Sequence, residues 1–138
     1  MIGILGAGSL GRLWGAMLPA GGVAFIARPG EPTGASVDHR FRPFEGPESQ
    51  ARIPFLQHGA APELILVTTK AGDTLDAVAG VINQCAIDTP ILLFQNGLGS
   101  QQAVAKRWPE RPILAASTTE GANRPESGLL VHAGTGDT

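Results

Sequence analysis

The chain has 138 residues, 43% hydrophobic and 16% charged, and its 10 basic against 12 acidic side chains give a formal charge of −2. That is the composition of one globular domain able to bury a core. It excludes a disordered or fibrous chain and shows neither a basic footprint for nucleic acid nor a polybasic membrane patch. Cys85 is the only cysteine, so an internal disulfide is excluded. No basic segment precedes the first apolar run, which argues against a secretory leader, and a cytoplasmic chain without membrane contact is expected.

Met1 to Leu5 reads as a short apolar strand and Leu10 to Leu18 as a helix. Between them, Gly6, Ala7, Gly8, Ser9, Leu10 and Gly11 spell G-x-G-x-x-G. Gly6 permits the sharp strand-to-helix turn, Gly8 lets backbone approach a pyrophosphate, and Gly11 lets helix pack tightly on strand. A pyrophosphate there would rest on the free N–H groups at the positive end of the helix. The strand before and helix after the turn favour dinucleotide binding over a glycine-rich turn that binds nothing.

Ala20-Gly21-Gly22 then stops the helix, and Val23 to Ala27 is a second apolar strand ending at Arg28-Pro29-Gly30. Glu31 to Gln50, rich in proline, glycine and charge, reads as loop with one poor strand around Val37 to Phe41. Arg52 to Leu56 is a short strand. Glu63 to Thr69 is a continuous apolar run, as in a strand covered on both faces. Asp73 to Cys85 carries Leu75, Val78, Ala79 and Ile82 at helical spacing, with Asp73 or Thr74 as its cap. Pro90 to Phe94 is a buried strand running into Gln95-Asn96-Gly97-Leu98-Gly99, and Ser100 to Trp108 is a helix. Pro112 to Ala116 is a fifth apolar strand, and Leu129 to His132 a last one after the Pro125 to Gly128 turn.

This alternation predicts an α/β, Rossmann-like, doubly wound domain over 1–138, its mostly parallel sheet carrying helices on both faces. Ligands of such sheets bind beyond the carboxyl ends of the strands. The groups just past those ends are Gly6 to Gly11, Arg28, Lys70, Asn96 and Ser117 to Ala122, and all are expected to line one crevice.

Arg28 lies about 20 residues past the glycine turn, where an acidic residue would take the ribose 2′-hydroxyl of NAD. An arginine suits the 2′-phosphate of NADP, because its planar fork pairs with phosphate and stacks on adenine. Arg40 and Arg42 are weaker candidates for the same phosphate and read as solvated. A lysine closing a buried strand, like Lys70, is costly unless it faces a cleft or an anion. Asn96 sits in a turn signal, and its amide could also serve a substrate oxygen or the nicotinamide. Cys85 reads as a small buried hydrophobe. His39, His58 and His132 are scattered, so no metal site is expected.

The runs ILGAGSLGRLWG, LVTTKAGDT, QNGLGS, STTEGANR and LLVHAGTG resemble, in order and spacing, the ketopantoate reductases (2-dehydropantoate 2-reductases). The resemblance covers essentially the whole chain. It implies an NADPH-binding Rossmann domain, followed in the family by an all-helical substrate domain, and hydride transfer to the ketone of 2-dehydropantoate on the route to pantothenate. By motif, Gly6 to Gly11 would hold the pyrophosphate and Arg28 the 2′-phosphate. Lys70 and Asn96 would contact cofactor and substrate, and Ala122 would lie against the cofactor. Glu120 departs from the histidine or other residue found there in many members and reads as a solvated loop carboxylate. The family's general-acid lysine and substrate-binding glutamate belong to the helical domain, so residues 1–138 are expected to supply the cofactor half alone. The apolar face that would meet that domain makes a homodimer plausible. Rival readings are a dehydrogenase of the wider 2-hydroxyacid or 6-phosphogluconate kind, a non-catalytic dinucleotide sensor, and a structural domain that binds nothing.

Overall fold

The computed structural model of the chain describes residues 1–30, 36–57, 59–95 and 99–138. In chain order the elements are β1 (Ile2–Leu5), α1 (Ser9–Met17), β2 (Val23–Phe25), β3 (Ser36–Arg42), β4 (Ser49–Pro54), β5 (Leu64–Val67) and α2 (Thr74–Val81). They continue with β6 (Ile91–Leu93), α3 (Gly99–Arg107), β7 (Ile113–Ala115), β8 (Gly121–Asn123) and β9 (Leu129–Gly134). Five strands form the expected Rossmann-like sheet, in the order β2-β1-β5-β6-β7 and parallel throughout.

The apolar run Glu63 to Thr69 behaves as its sequence requires. Ile65 and Val67 of β5 point to one side, where Val78 and Val81 of α2, Val104 of α3 and Trp108 complete a core. Leu66 points to the other side and packs with Ile4, Phe25 and Ile53 against Trp14 and Leu18. Cys85 belongs to the first of these cores and is buried, as expected; burial pushes its thiol pKa up.

The second half of the architecture departs from expectation. The strand expected around Val37 to Phe41 is present as Ser36–Arg42, but it belongs to a second, four-stranded sheet that was not anticipated, ordered β4-β3-β9-β8. Strand β4 begins at Ser49 rather than Arg52, and β8 within STTEGANR was not anticipated as a strand. The reason lies in the alternation of β3. Val37, His39 and Phe41 turn inward, while Ser36, Asp38, Arg40 and Arg42 turn outward. The outward charges are paired, Asp38 across the ladder with Arg52 at 3.0 Å and Arg40 and Arg42 with Glu48, just before β4, at 3.2 and 3.3 Å. A strand so dressed looks like solvated loop by composition, whereas each opposite-charge pair supports the ladder. Helix α1 consequently lies between two sheets. Its Trp14 side meets the parallel sheet, and Leu13 is fully buried against Phe41 and Leu130 of the second one.

The second helix also starts differently. A 3-10 turn over Ala71–Asp73 precedes α2, and neither Asp73 nor any other side chain caps it. The Thr74 hydroxyl turns back to donate to the Lys70 carbonyl at 3.0 Å.

Candidate functional site

The parallel order places the carboxyl ends of β1, β2, β5, β6 and β7 along one edge of the sheet. The glycine turn leaves that edge after β1. Gly6 has φ +114°, a left-handed conformation that disfavours any side chain, and a Cβ there would press on the Thr69 N–H at 2.9 Å. Thr68 Oγ1 donates to the Gly6 carbonyl at 2.8 Å and holds the turn to β5. A Cβ on Gly11 would collide with that same Gly6 carbonyl oxygen. At Gly8 the situation reverses: nothing lies within 4 Å of where a Cβ would stand. The turn is therefore sealed on its protein side and open on its solvent side, at the start of α1. Gly8 caps α1 with backbone alone, and no acidic side chain occupies the first helical turn. The free N–H groups and helix dipole consequently meet no built-in anion.

Arg28 lies three residues beyond β2 and is half-buried. Lys70 lies three residues beyond β5 with its side chain exposed. Its backbone is pinned, since the Lys70 carbonyl accepts from the Asp73 N–H at 2.9 Å and from Thr74 Oγ1 at 3.0 Å. Asn96 falls outside the described residues, and so does His58. Its neighbour Gln95, which sequence reasoning passed over, is buried beyond β6. Gln95 Nε2 donates to the Val67 carbonyl at 3.2 Å and the Thr69 carbonyl at 3.0 Å, clamping the chain that leads into Lys70. Its Oε1 is buried with no hydrogen-bond partner among the described residues. A glutamine before an Asn-Gly turn carries no sequence signal for such a clamp.

The Ser117 to Ala122 segment runs from β7 into the second sheet. Ala122 on β8 packs against the Leu13, Phe41 and Leu130 cluster, which Leu10 of the glycine turn also touches. Glu120 is not a solvated loop carboxylate. Its side chain is 13% exposed, and its Oε2 lies 2.6 Å from His132 Nε2 of β9, with His132 itself 7% exposed. The His132 hydrogen bond holds the Glu120 carboxyl below its ordinary range, against the opposing effect of burial. Pairing replaced solvation because β8 and β9 run antiparallel and bring the two side chains together, a long-range fact that spacing alone does not reveal. Arg40 and Arg42 are engaged with Glu48, and Arg40 also with Glu126, which accounts for both without a ligand.

The sequence profile described as "Ketopantoate reductase PanE/ApbA" matches residues 2–138. The chain belongs to the ketopantoate reductase family. It is 31% identical over 147 residues to the 2-dehydropantoate 2-reductase of Halobacterium salinarum, covering 98% of this chain and 46% of that protein. Among solved structures, the 2-dehydropantoate 2-reductase of Geobacter metallireducens GS-15 superposes with a TM-score of 0.71 at 26% identity, covering 98% of this chain and 46% of that one. A D-mandelate dehydrogenase solved with NADH and anilino(oxo)acetate reaches a TM-score of 0.77 at 23% identity, covering 98% of this chain and 46% of its own; that likeness is one of fold. The chain thus spans about half the length of the relatives it matches. The family is one of oxidoreductases, and the name of its members ties them to pantothenate biosynthesis. Among the described residues no helix is long and apolar enough to cross a membrane, and no group of three or more His, Cys, Asp or Glu is gathered for a metal ion.

Proposed function

We propose that residues 1–138 form the NADP(H)-binding domain of a 2-dehydropantoate 2-reductase. The observation that carries this reading is the glycine turn, shut against β5 at Gly6 and Gly11 and open above Gly8 at the start of α1. A dinucleotide pyrophosphate fits that cradle in size and charge. In this reading the backbone N–H groups of the Gly6 to Gly11 turn bind the pyrophosphate, and Ala122 lies against the cofactor. Arg28 takes the 2′-phosphate, which makes NADPH the preferred nicotinamide. Bound NADPH supplies the hydride that reduces the ketone of 2-dehydropantoate to pantoate.

This chain's own residues bind and orient. Lys70, its carbonyl held by Asp73 and Thr74, and Asn96 position cofactor and keto acid, and Gln95 keeps the path into Lys70 in place. The general acid belongs to the remaining half of the relatives' length, so the 138-residue polypeptide alone binds NADPH and reduces ketopantoate negligibly. The working enzyme is cytoplasmic, takes a small 2-keto acid, and is a candidate homodimer.

Titrating the chain and Arg28→Ala with NADPH and NADH tests the reading. Wild type should prefer NADPH by about tenfold or more, the worth of one charge-assisted phosphate contact, and Arg28→Ala should lose that preference. An unchanged preference in the variant removes Arg28 from the 2′-phosphate site. Turnover of ketopantoate by residues 1–138 at ordinary enzyme rates would defeat the division of labour.

A further inference from the structure

A second polar cleft opens beside α1. It measures about 500 Å³ and is lined by Arg12, Asp38, Arg124, Glu126, Ser127 and Gly128. Its two acids are already engaged. Asp38 accepts from Arg52 at 3.0 Å and from Ser36 at 2.6 Å, and Glu126 accepts from Arg40 at 2.8 Å. The two arginines are differently placed. Arg12 spends its Nε on the Ala7 carbonyl at 2.8 Å, and its terminal nitrogens have no hydrogen-bond partner among the described residues. Arg124 has no hydrogen-bond or carboxylate partner among the described residues.

We propose that Arg12 and Arg124 are the two jaws of an anion site, distinct in its residues from the glycine cradle, that takes a phosphate monoester. Two guanidinium groups on one cleft repel unless an anion lies between them, and the arginine fork matches phosphate oxygens two at a time. The repulsion is felt: burial, and then the charge of Arg124, push the Arg12 pKa down. Ser127 adds a hydroxyl to the same wall. The cleft is too large for bare phosphate alone and leaves room for the organic group the phosphate carries. Because Arg12 holds the Ala7 carbonyl, the site is also tied to the turn between β1 and α1.

Calorimetric titration of inorganic phosphate into the 138-residue chain, at constant ionic strength and mildly alkaline pH, tests the site. One phosphate should bind per chain. Arg12→Gln and Arg124→Gln should each weaken binding about tenfold, and Arg28→Ala should leave it unchanged, so the site stands or falls separately from the 2′-phosphate assignment. Arg124 is exposed, so its variant should keep the fold, which circular dichroism checks. Titrating Arg124→Gln with NADPH and NADH identifies the source of the phosphate. A loss confined to NADPH means that the cofactor's own 2′-phosphate reaches the site, and unchanged binding of both means a separate phosphorylated molecule. No phosphate binding by the wild type, or wild-type binding by both arginine variants, overturns the proposal.

Discussion

Two one-methyl substitutions in the glycine turn should separate stability from binding. Gly11→Ala places its Cβ against the Gly6 carbonyl oxygen, with Thr68 Oγ1 only 2.8 Å away. Both neighbours are fixed, one by backbone and the other by its hydrogen bond to that carbonyl at 2.8 Å, so α1 must move away from β1 and β5. Forced overpacking of this kind costs about 1–3 kcal/mol. At about 4 °C per kcal/mol for a domain of this size, the melting temperature should fall by roughly 4–12 °C. Gly8→Ala meets nothing within 4 Å, and its φ of −77° suits alanine. The unfolded chain loses freedom, which stabilises by about 0.4–1 kcal/mol, while alanine is poorer than glycine at a helix N-cap by about the same amount. The melting temperature should therefore stay within about 4 °C of wild type. The new methyl nevertheless stands where a pyrophosphate would approach, so NADPH affinity should drop about tenfold or more. Differential scanning calorimetry and fluorescence titration on both variants read the two quantities. Full NADPH affinity in a stable Gly8→Ala protein would refute the cradle, and an unchanged melting temperature for Gly11→Ala would refute the packing argument.

Other perturbations follow from buried polar groups. Gln95→Leu removes both bonds to the Val67 and Thr69 carbonyls, and urea unfolding should show a loss of about 1–3 kcal/mol; a loss below about 0.5 kcal/mol would mean that the clamp is idle. His39 is 3% exposed, and both its ring nitrogens are without a hydrogen-bond partner among the described residues. Burial, then the Arg12 charge, push its pKa below 6.5, with Asp38 opposing. Below pH 6.5 the unfolded chain thus binds the His39 proton more readily than the native one, and stability falls as pH drops through that value. His39→Leu should keep or raise stability at neutral pH and flatten the slope just below pH 6.5 in a series of thermal melts; an unaltered slope would assign the acid sensitivity to other groups.

How much of this was legible in the sequence depended on how local the cause was. The five parallel strands announce themselves because each is an apolar run, and burial on both faces demands just that. The sharp turn at Gly6 and the tight packing at Gly11 were readable from spacing, since Gly6 needs a positive φ and Gly11 has no room for a Cβ beside the Gly6 carbonyl. Strand β3 was readable only as a poor strand, because five of its seven residues are polar or charged and its charges find their partners elsewhere, Arg52 on β4 and Glu48 just before it. Glu120 passed for a solvated carboxylate for the same reason, its partner His132 being twelve residues away across an antiparallel pair.

The sequence by itself determined the Rossmann-like α/β sheet and the glycine turn after β1, because periodicity and glycine spacing express constraints between neighbours along the chain, and the resemblance of its five motifs pointed to the family. Only the tertiary structure decided that α1 is sandwiched between two sheets, that Gln95 holds the approach to Lys70, and that Arg12 and Arg124 share a cleft. Those outcomes depend on which distant backbone segments pair. A pairing register brings side chains together that no spacing along the chain connects.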